Sequence, residues 1–414
     1  MKSLYGVCLL ATVALTGCGS GSDDDDAPRL TSLTVHTSAH NGENLDPPFD
    51  PDVHNYTLKV QSDTYGVLFQ PSTEGEGTVT SVTASITAGA YSVTDADTDV
   101  ATSEEVPLAE TLGNSGYMVK LSQSYAAYDV EYVQTATFKL TDPDNGESSD
   151  YVVKIVRDND SPIRSRFGTP QVFTGADGTS IQYHIYYPPN YSSSDKSYPV
   201  VLALHGVGQR ASGGQPPDMV LKRTKQATIW AQDSESSPEK EAIVIAPQAN
   251  TGWAEGGSSG KLSTDGQAAY ELLQSVLDTE KADRSRVYLT GLSMGGNGSL
   301  VMAANYPETF ASVFVNAAFV GSARADSDAD SSAFNWSGLK QHLDGRIRVV
   351  AAEDDPDVKH AAYLSLVEQL TANGINFQNK LYPSGTFFSP TAHFVWIAGY
   401  ADQAAREWVF SQKR

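Results

Sequence analysis

Two patterns of hydrophobic residues divide the chain into two parts. From residue 29 to residue 158, apolar and polar residues alternate with a period of two, which is typical of strands with one buried face. Turn residues separate these runs, and no helical stripe interrupts them. The number and spacing of the runs predict an all-β sandwich with the alternating apolar positions in its core. These positions are Leu33, Val35, Tyr56, Leu58, Val60, Tyr117, Val119, Leu121, Ala136, Phe138, Leu140, Tyr151, Val153 and Ile155.

From residue 167 to residue 414, short continuous apolar runs alternate with amphipathic segments. Strands of this kind are buried on both faces, as in a parallel sheet that is covered by helices. The pattern predicts a doubly wound, mostly parallel α/β sheet, whose ligands bind beyond the carboxyl ends of the strands. The predicted strands are residues 199–204, 242–246, 286–290, 311–315, 347–352 and 378–382, and the predicted helices are residues 264–280, 363–370 and 401–410.

The two parts are joined by residues 159–166, a polar stretch that contains Pro162 and has no periodicity. We predict that this stretch is a linker between two separate cores. The β domain, residues 29–158, would then be a spacer or a polymer-binding module. Within the second part, residues 209–240 form a long polar insertion, which we expect to be a flap over the site.

The N-terminus has the features of a secretory signal. A positive start at Lys2 is followed by an apolar stretch over residues 4–15 and by Leu15-Thr16-Gly17-Cys18. These four residues resemble the bacterial lipobox, which implies that residues 1–17 are removed and that Cys18 carries a lipid. Residues 18–28 then form an acidic tether. The alternative is an ordinary signal peptide that is cut elsewhere. The lipobox predicts an exported lipoprotein at the outer membrane, the cell surface or in the periplasm.

Charge and cysteine content exclude several classes of protein. The net charge is −22, which repels polyphosphate and argues against nucleic acid as a partner. Both cysteines lie within the first 18 residues, so the mature chain contains no disulfide, no thiol nucleophile and no cysteine-based metal site. The histidines are scattered, and no nucleotide-binding loop follows a strand, so we expect no metal and no cofactor.

Gly291-Leu292-Ser293-Met294-Gly295 matches the Gly-x-Ser-x-Gly pattern of a nucleophile elbow. It follows a predicted strand and precedes a helix of small residues, which is the context that the elbow requires. The turn is so tight that the serine must be flanked by glycines. We predict that Ser293 is the nucleophile of an acyl-transfer reaction.

A serine nucleophile needs a base and an acid that orients it. His393 follows the last predicted strand, where this fold carries its base. The acid should follow the strand that ends at Ala352, and Glu353-Asp354-Asp355-Pro356-Asp357 comes next. We interpret Asp357 as a helix N-cap and predict Asp355 as the acid, with Asp354 as the alternative.

Two further features flank this constellation. Backbone N–H groups of Val207, in the loop after the first core strand, and of Met294 are predicted to form the oxyanion hole. His205 lies in the same loop and is expected to shape it at the edge of the substrate pocket. Trp253 follows the strand over residues 242–246 and either lines the pocket or is a core tryptophan.

The chain resembles two known families. Residues 29–158 open with LTSLTV and close with YVVKIVR, and they are similar to bacterial cadherin-like, immunoglobulin-like β-sandwiches. Over residues 167–412, LALHGVGQRASGG, GLSMGGNG, EDDPDV and HFVWIAGY resemble the polyhydroxybutyrate depolymerase and feruloyl-esterase-like branch of α/β hydrolases. That branch often has His-Gly before its acid, where this chain has Ala351-Ala352. Carrying the register across favours Asp355.

The resemblance implies an extracellular serine esterase that acts through an acyl-enzyme. Its substrate would be a polymeric or polymer-derived ester, either a polyester of the polyhydroxyalkanoate type or a feruloylated or acetylated polysaccharide. Two alternatives stay open, namely a serine peptidase of the same fold and a non-catalytic surface adhesion lipoprotein.

Overall fold

A computed structural model describes residues 27–37, 45–73, 78–86, 104–106, 116–121, 132–158, 160–255, 260–321, 334–387 and 391–414. The predicted signal peptide, Cys18 and the tether up to residue 26 lie outside these residues. No helix within the described ranges is both long enough and apolar enough to cross a membrane.

The N-terminal part contains two four-stranded sheets. One has the strand order β1-β3-β6-β5 and the other the order β2-β8-β7-β4. The strands are β1 Leu30–Thr37, β2 Asn55–Val60, β3 Gly66–Thr73, β4 Thr78–Ile86, β5 Glu104–Val106, β6 Gly116–Lys120, β7 Tyr132–Thr141 and β8 Ser148–Arg157.

One cluster of apolar side chains joins the two sheets. Leu33 and Val35 come from the first sheet, and Leu58, Phe138 and Val153 come from the second. All the positions that the alternation predicts to be core belong to this cluster except Tyr117, which packs against it while only partly buried. Strands β3, β4 and β5 were not predicted.

The second part is built on an eight-stranded sheet with the order β16-β15-β14-β13-β11-β12-β10-β9. Strand β10 runs antiparallel to both of its neighbours, and the remaining pairs are parallel. The six predicted strands are present, whereas β9 and β10 were missed. The strands are β9 Gln171–Thr174, β10 Ser180–Tyr186, β11 Tyr198–Leu204, β12 Ile243–Gln248, β13 Ala282–Leu292, β14 Ser312–Asn316, β15 Ile347–Ala352 and β16 Phe377–Tyr382.

Helices cover both faces of this sheet. Val200 and Leu202 of β11 point into one apolar cluster, while Val201 and Ala203 point into another. Residues of α4 and α5 pack in the first cluster, and residues of α3 and α9 pack in the second. The helices are α1 Ser161–Arg164, α2 Met219–Lys222, α3 Thr228–Ser236, α4 Thr264–Thr279, α5 Met294–Asn305, α6 Trp336–Leu343, α7 His360–Ala372, α8 Trp396–Ala401 and α9 Gln403–Ser411.

Two expectations about connecting segments were wrong. The predicted linker, residues 159–166, contains α1 and leads into a 3-10 turn, and Ile163 and Phe167 are buried in the cluster under the sheet. The predicted flap, residues 209–240, contains α2 and α3, and Trp230 of α3 is fully buried. Both segments are therefore packed against the large sheet. Their composition is polar, but their few apolar residues are buried in its core.

Candidate active site

Ser293 occupies the single residue between strand β13 and helix α5. Its φ of 52° and ψ of −119° lie in a region that side chains other than glycine rarely adopt. The Ser293 N–H donates to the carbonyl oxygen of Asn316 on the neighbouring strand, at 2.9 Å. This bond to β14 helps to hold the strained residue in place, and the strand–turn–helix predicted from the sequence is present.

The glycines on either side of Ser293 are required by close approach of the backbone. A Cβ atom on Gly291 would lie 2.2 Å from the carbonyl oxygen of Gly295. A Cβ atom on Gly295 would lie 2.1 Å from the carbonyl oxygen of Leu204. Both distances are far inside van der Waals contact, so any side chain at these positions would force the helix away from the sheet.

His393 reaches Ser293 from a different loop. It lies in the 3-10 turn Thr391–Val395, and its Nε2 atom is 3.1 Å from the Ser293 Oγ. Its Nδ1 atom is 2.9 Å from each carboxylate oxygen of Asp355. Since a carboxylate can only accept, Nδ1 carries the proton in the neutral ring, and Nε2 is free to accept from the serine hydroxyl.

Asp355 and Asp354 have different environments although they are adjacent. Asp355 is buried, and its Oδ1 accepts the backbone N–H groups of Asp357 and Val358, each at 2.8 Å. Asp354 is exposed, and its Oδ2 accepts the N–H of Gly385 at 2.8 Å. Of these two aspartates, only Asp355 is hydrogen-bonded to the imidazole, so the geometry favours it as the acid.

The interpretation of Asp357 as a helix N-cap is wrong. Helix α7 begins at His360, and Lys359 holds the N-cap position. The Asp357 Oδ2 atom instead lies 4.0 Å from the His393 Nε2, on the rim of the cavity that contains Ser293. The side chain is half exposed, so water screens its charge.

Val207 and Met294 each begin a helical turn beside Ser293. Met294 is the first residue of α5, and Val207 is the first residue of the 3-10 turn Val207–Gln209 that follows β11. The first N–H groups of a helix have no acceptor within it, so both backbones have a donor to offer. Both residues line the same cavity as Ser293.

A network of side chains holds the loop that carries Val207. The Gly206 N–H donates to the Gln209 Oε1 at 3.3 Å, and the Gln209 Nε2 donates to the Thr224 hydroxyl at 3.2 Å. Arg223 donates from Nη1 to the carbonyl oxygen of Gly208 at 3.0 Å. The segment that contains Arg223 and Thr224 is therefore a brace for this loop.

His205 and Trp253 lie behind the site and do not line its cavity. Both are fully buried, and the Trp253 Nε1 donates to the His205 carbonyl oxygen at 2.9 Å. The His205 Nδ1 lies 2.7 Å from the Gly206 carbonyl oxygen, and its Nε2 accepts the Ala249 N–H at 3.0 Å. Burial lowers the pKa of His205 to about 4, so the ring is neutral at pH 7.

The burial of His205 and Trp253 shows that neither residue lines the substrate pocket. Trp253 is a core tryptophan, and its assignment to the substrate pocket was wrong because the core covers its whole ring. His205 shapes the loop, as expected, but it does not border the pocket.

The cavity beside Ser293 has a volume of about 420 Å³ and is mostly apolar. Two charged residues, Arg223 and Asp357, lie in its wall. No cluster of three or more side chains suited to a metal occurs in the parts of the chain that the structure describes. The apolar side chains that line the cavity are Val207, Leu292, Met294, Phe319, Val358, Phe394 and Trp396.

Comparison with known proteins identifies the family of this chain. A family described as "Putative esterase" matches residues 175–387, just over half of the chain. The chain belongs to this esterase family. The match contains Ser293 and Asp355, while His393 lies beyond its end.

One curated relative of the esterase is "Poly(3-hydroxyalkanoate) depolymerase C" from Paucimonas lemoignei. The two sequences are 34% identical over 125 residues, which is 27% of this chain and 26% of the relative. The match thus spans about a quarter of the relative's own length.

A solved structure titled "Crystal Structure of a Thermostable Esterase" has a similar fold, with a TM-score of 0.53 and 22% identity. The alignment covers 86% of this chain and 99% of that one. A mixed α/β fold with a large, mostly parallel sheet is therefore established.

Sequence reasoning missed several residues that line the esterase cavity. Phe394 and Trp396 follow His393 closely in the chain, and their rings lie 6.2 and 5.0 Å from the imidazole ring. Their proximity to the base in the sequence was a usable signal. Arg223 and Phe319 gave no such signal, because they approach Ser293 only through the fold.

The two aspartates allow a matched test of the acid. Asp355→Asn should lower kcat for ester hydrolysis by roughly 10³-fold or more, because an amide at this position would no longer hold the imidazole in the required tautomer. Asp354→Asn should change kcat by less than about threefold, since its partner is the Gly385 N–H. Steady-state kinetics on a soluble ester measures both, and a larger loss in Asp354→Asn would contradict the assignment.

Proposed function

We propose that this esterase uses Ser293, His393 and Asp355 as a catalytic triad and works through an acyl-enzyme. The continuous chain of contacts from the Ser293 Oγ to the His393 Nε2 at 3.1 Å, and from the His393 Nδ1 to Asp355 at 2.9 Å, carries the proposal. The triad is embedded in an apolar wall, where its hydrogen bonds are stronger than in water.

In the first half of the reaction, the Ser293 Oγ attacks the ester carbonyl carbon while its proton moves to the His393 Nε2. The negative charge that develops on the carbonyl oxygen is stabilised by the N–H groups of Val207 and Met294. The tetrahedral intermediate then breaks its bond to the alcohol, which leaves with the proton from His393. The acyl group remains on Ser293.

In the second half, water replaces the alcohol. His393 removes a proton from this water as it attacks the acyl carbon, and the Ser293 oxygen leaves with that proton. The carboxylic acid is released and the hydroxyl of Ser293 is restored. Asp355 stays ionised throughout and stabilises the imidazolium that forms twice in each cycle.

We propose a polymeric or polymer-derived ester as the substrate, either a polyester or an esterified polysaccharide. The cavity of about 420 Å³ is large enough for one acyl or alcohol unit, and its mostly apolar wall suits a hydrocarbon or aromatic group. The curated relative is by name a poly(3-hydroxyalkanoate) depolymerase, which favours a polyester over a small metabolite.

We further propose that the protein is exported and anchored by a lipid on Cys18. The lipobox-like Leu15-Thr16-Gly17-Cys18 and the acidic stretch that follows it support this proposal. An enzyme held outside the cell can reach a polymer that is too large to import.

For the N-terminal part, we propose a cadherin-like sandwich domain over residues 29–158, which precedes a hydrolase domain over residues 167–414. The shared core between the two four-stranded sheets supports this division.

The nucleophile is tested by Ser293→Ala with an ester and an amide of the same acyl group. The variant should fold normally and lose at least roughly 10³-fold in ester hydrolysis, because no other group can form the acyl-enzyme. Ser337→Ala, at an exposed serine of α6, is the matched control and should retain wild-type rates. Wild-type turnover of the amide at the rate of the ester would instead favour a serine peptidase. Loss of less than tenfold in Ser293→Ala would exclude the proposed mechanism.

The anchor is tested by expressing the full chain and Cys18→Ser in a bacterium that processes lipoproteins. The unaltered chain should sediment with membranes, whereas Cys18→Ser should remain in the soluble fraction, since the acyl chains supply the membrane affinity. Equal partitioning of the two proteins would refute the lipid anchor.

A further inference from the structure

The loop between β2 and β3 belongs to the N-terminal sheets but is buried against the hydrolase part. Ser62, Asp63 and Thr64 are each less than 10% exposed, although the segment is a turn closed by the Thr64 N–H on the Gln61 carbonyl oxygen. The carbonyl oxygen of Tyr65 accepts the Leu121 N–H at 2.8 Å, which fixes the end of the loop to its own sheet. We call residues 61–65 the bridging loop.

One end of the bridging loop contacts the segment that carries the base. The rings of Tyr65 and Phe394 lie 4.7 Å apart, within the range of a favourable aromatic pair. Phe394 follows His393 directly and also lines the cavity beside Ser293. Phe394 is thus packed between the hydrolase core and a side chain from the N-terminal part.

The other end of the bridging loop contacts the brace of the oxyanion loop. Lys225 donates from Nζ to the Gln61 Oε1 at 3.3 Å and lies 3.6 Å from the Asp160 carboxylate. Ser62 donates its hydroxyl to the same carboxylate. Lys225 follows Thr224 directly, and Arg223 and Thr224 bind the loop that carries Val207.

Burial strengthens the contact between the bridging loop and Lys225. The side chains of Lys225 and Asp160 are almost wholly excluded from water, so their attraction is screened much less than that of a surface ion pair. Burial also raises the pKa of Asp63, in the same cluster, to about 6. The contacts of Lys225 with Gln61 and of both Lys225 and Ser62 with Asp160 tie Lys225 to the bridging loop.

We propose that the bridging loop positions both halves of the catalytic centre, the base through Tyr65 and Phe394 and the oxyanion loop through Gln61 and Lys225. Tyr65 is a positioning residue for the esterase reaction, and the N-terminal sheets are part of the enzyme rather than a separable spacer. This inference rests on the proposed roles of His393 and Val207.

Removing the contact between Tyr65 and Phe394 should lower kcat and leave substrate affinity almost unchanged. His393 and the oxyanion donors act mainly in the transition state, and displacements of about 1 Å at such groups have large effects on rate. Tyr65 itself is absent from the cavity wall, so removing its ring should change KM little.

The test compares Tyr65→Ala, Tyr65→Phe and the control Lys59→Ala on a small soluble ester. Tyr65→Ala should lower kcat about tenfold or more with KM within about threefold. Tyr65→Phe keeps the ring contact and should restore kcat to within about twofold. Lys59 is exposed on β2 just before the bridging loop, and its removal should have no effect. A kcat within twofold of the wild type in a folded Tyr65→Ala protein would overturn the proposal.

Hydrogen–deuterium exchange separates this inference from the proposed function, since it needs no turnover. Exchange should become faster over residues 391–396 in Tyr65→Ala and over residues 205–209 in Gln61→Ala, and it should stay unchanged in α4 in both variants. Unchanged exchange at both segments would overturn the proposal even if Ser293→Ala is inactive. If Tyr65→Ala does not fold, Tyr65→Leu and Gln61→Ala decide by the same measurements.

Discussion

The turn between β13 and α5 leaves no room for a side chain at Gly291 or Gly295, two residues before and two residues after Ser293. The backbone oxygens of Gly295 and Leu204 lie where the Cβ atoms of Gly291 and Gly295 would be, so the helix is packed directly against the sheet. This approach forces Ser293 into a strained conformation, which costs about 1–3 kcal/mol. In this conformation, Ser293 lines the cavity, and Met294, the first residue of α5, lies beside it. The remaining parts of the site are arranged around this fixed point.

The sequence predicted the parts of the fold whose patterns are local. The alternation in the N-terminal strands identified residues such as Val35 and Phe138, which are in the core. The continuous apolar runs identified strands of the large sheet, and the Gly-x-Ser-x-Gly pattern identified the turn at Ser293. Each of these patterns depends only on neighbours within a few residues. Strand β3 was missed because Val67, Leu68 and Phe69 are all buried in succession, so period-two alternation is absent there.

Features that depend on distant segments could not be predicted. Trp253 is buried by contacts with His205 and Gly298, neither of which its sequence neighbourhood reveals. Asp355 was preferred to Asp354 from the sequence, but Asp354 stayed open as an alternative, because both residues follow β15 and only the directions of their side chains separate them. The pairing of Tyr65 with Phe394 joins residues more than 300 positions apart. The polar composition of residues 159–166 predicted a flexible linker, whereas the structure has a packed segment there that contains α1.

A fluorophosphonate reacts with activated serines, so it tests most directly whether Ser293 is a nucleophile activated by His393. Intact-mass measurement of the full chain should show one phosphonyl group, and peptide mapping should place it on Ser293. Labelling should be absent in Ser293→Ala and much slower in His393→Ala. A label on another residue, or no label on the folded wild-type protein, would contradict the account.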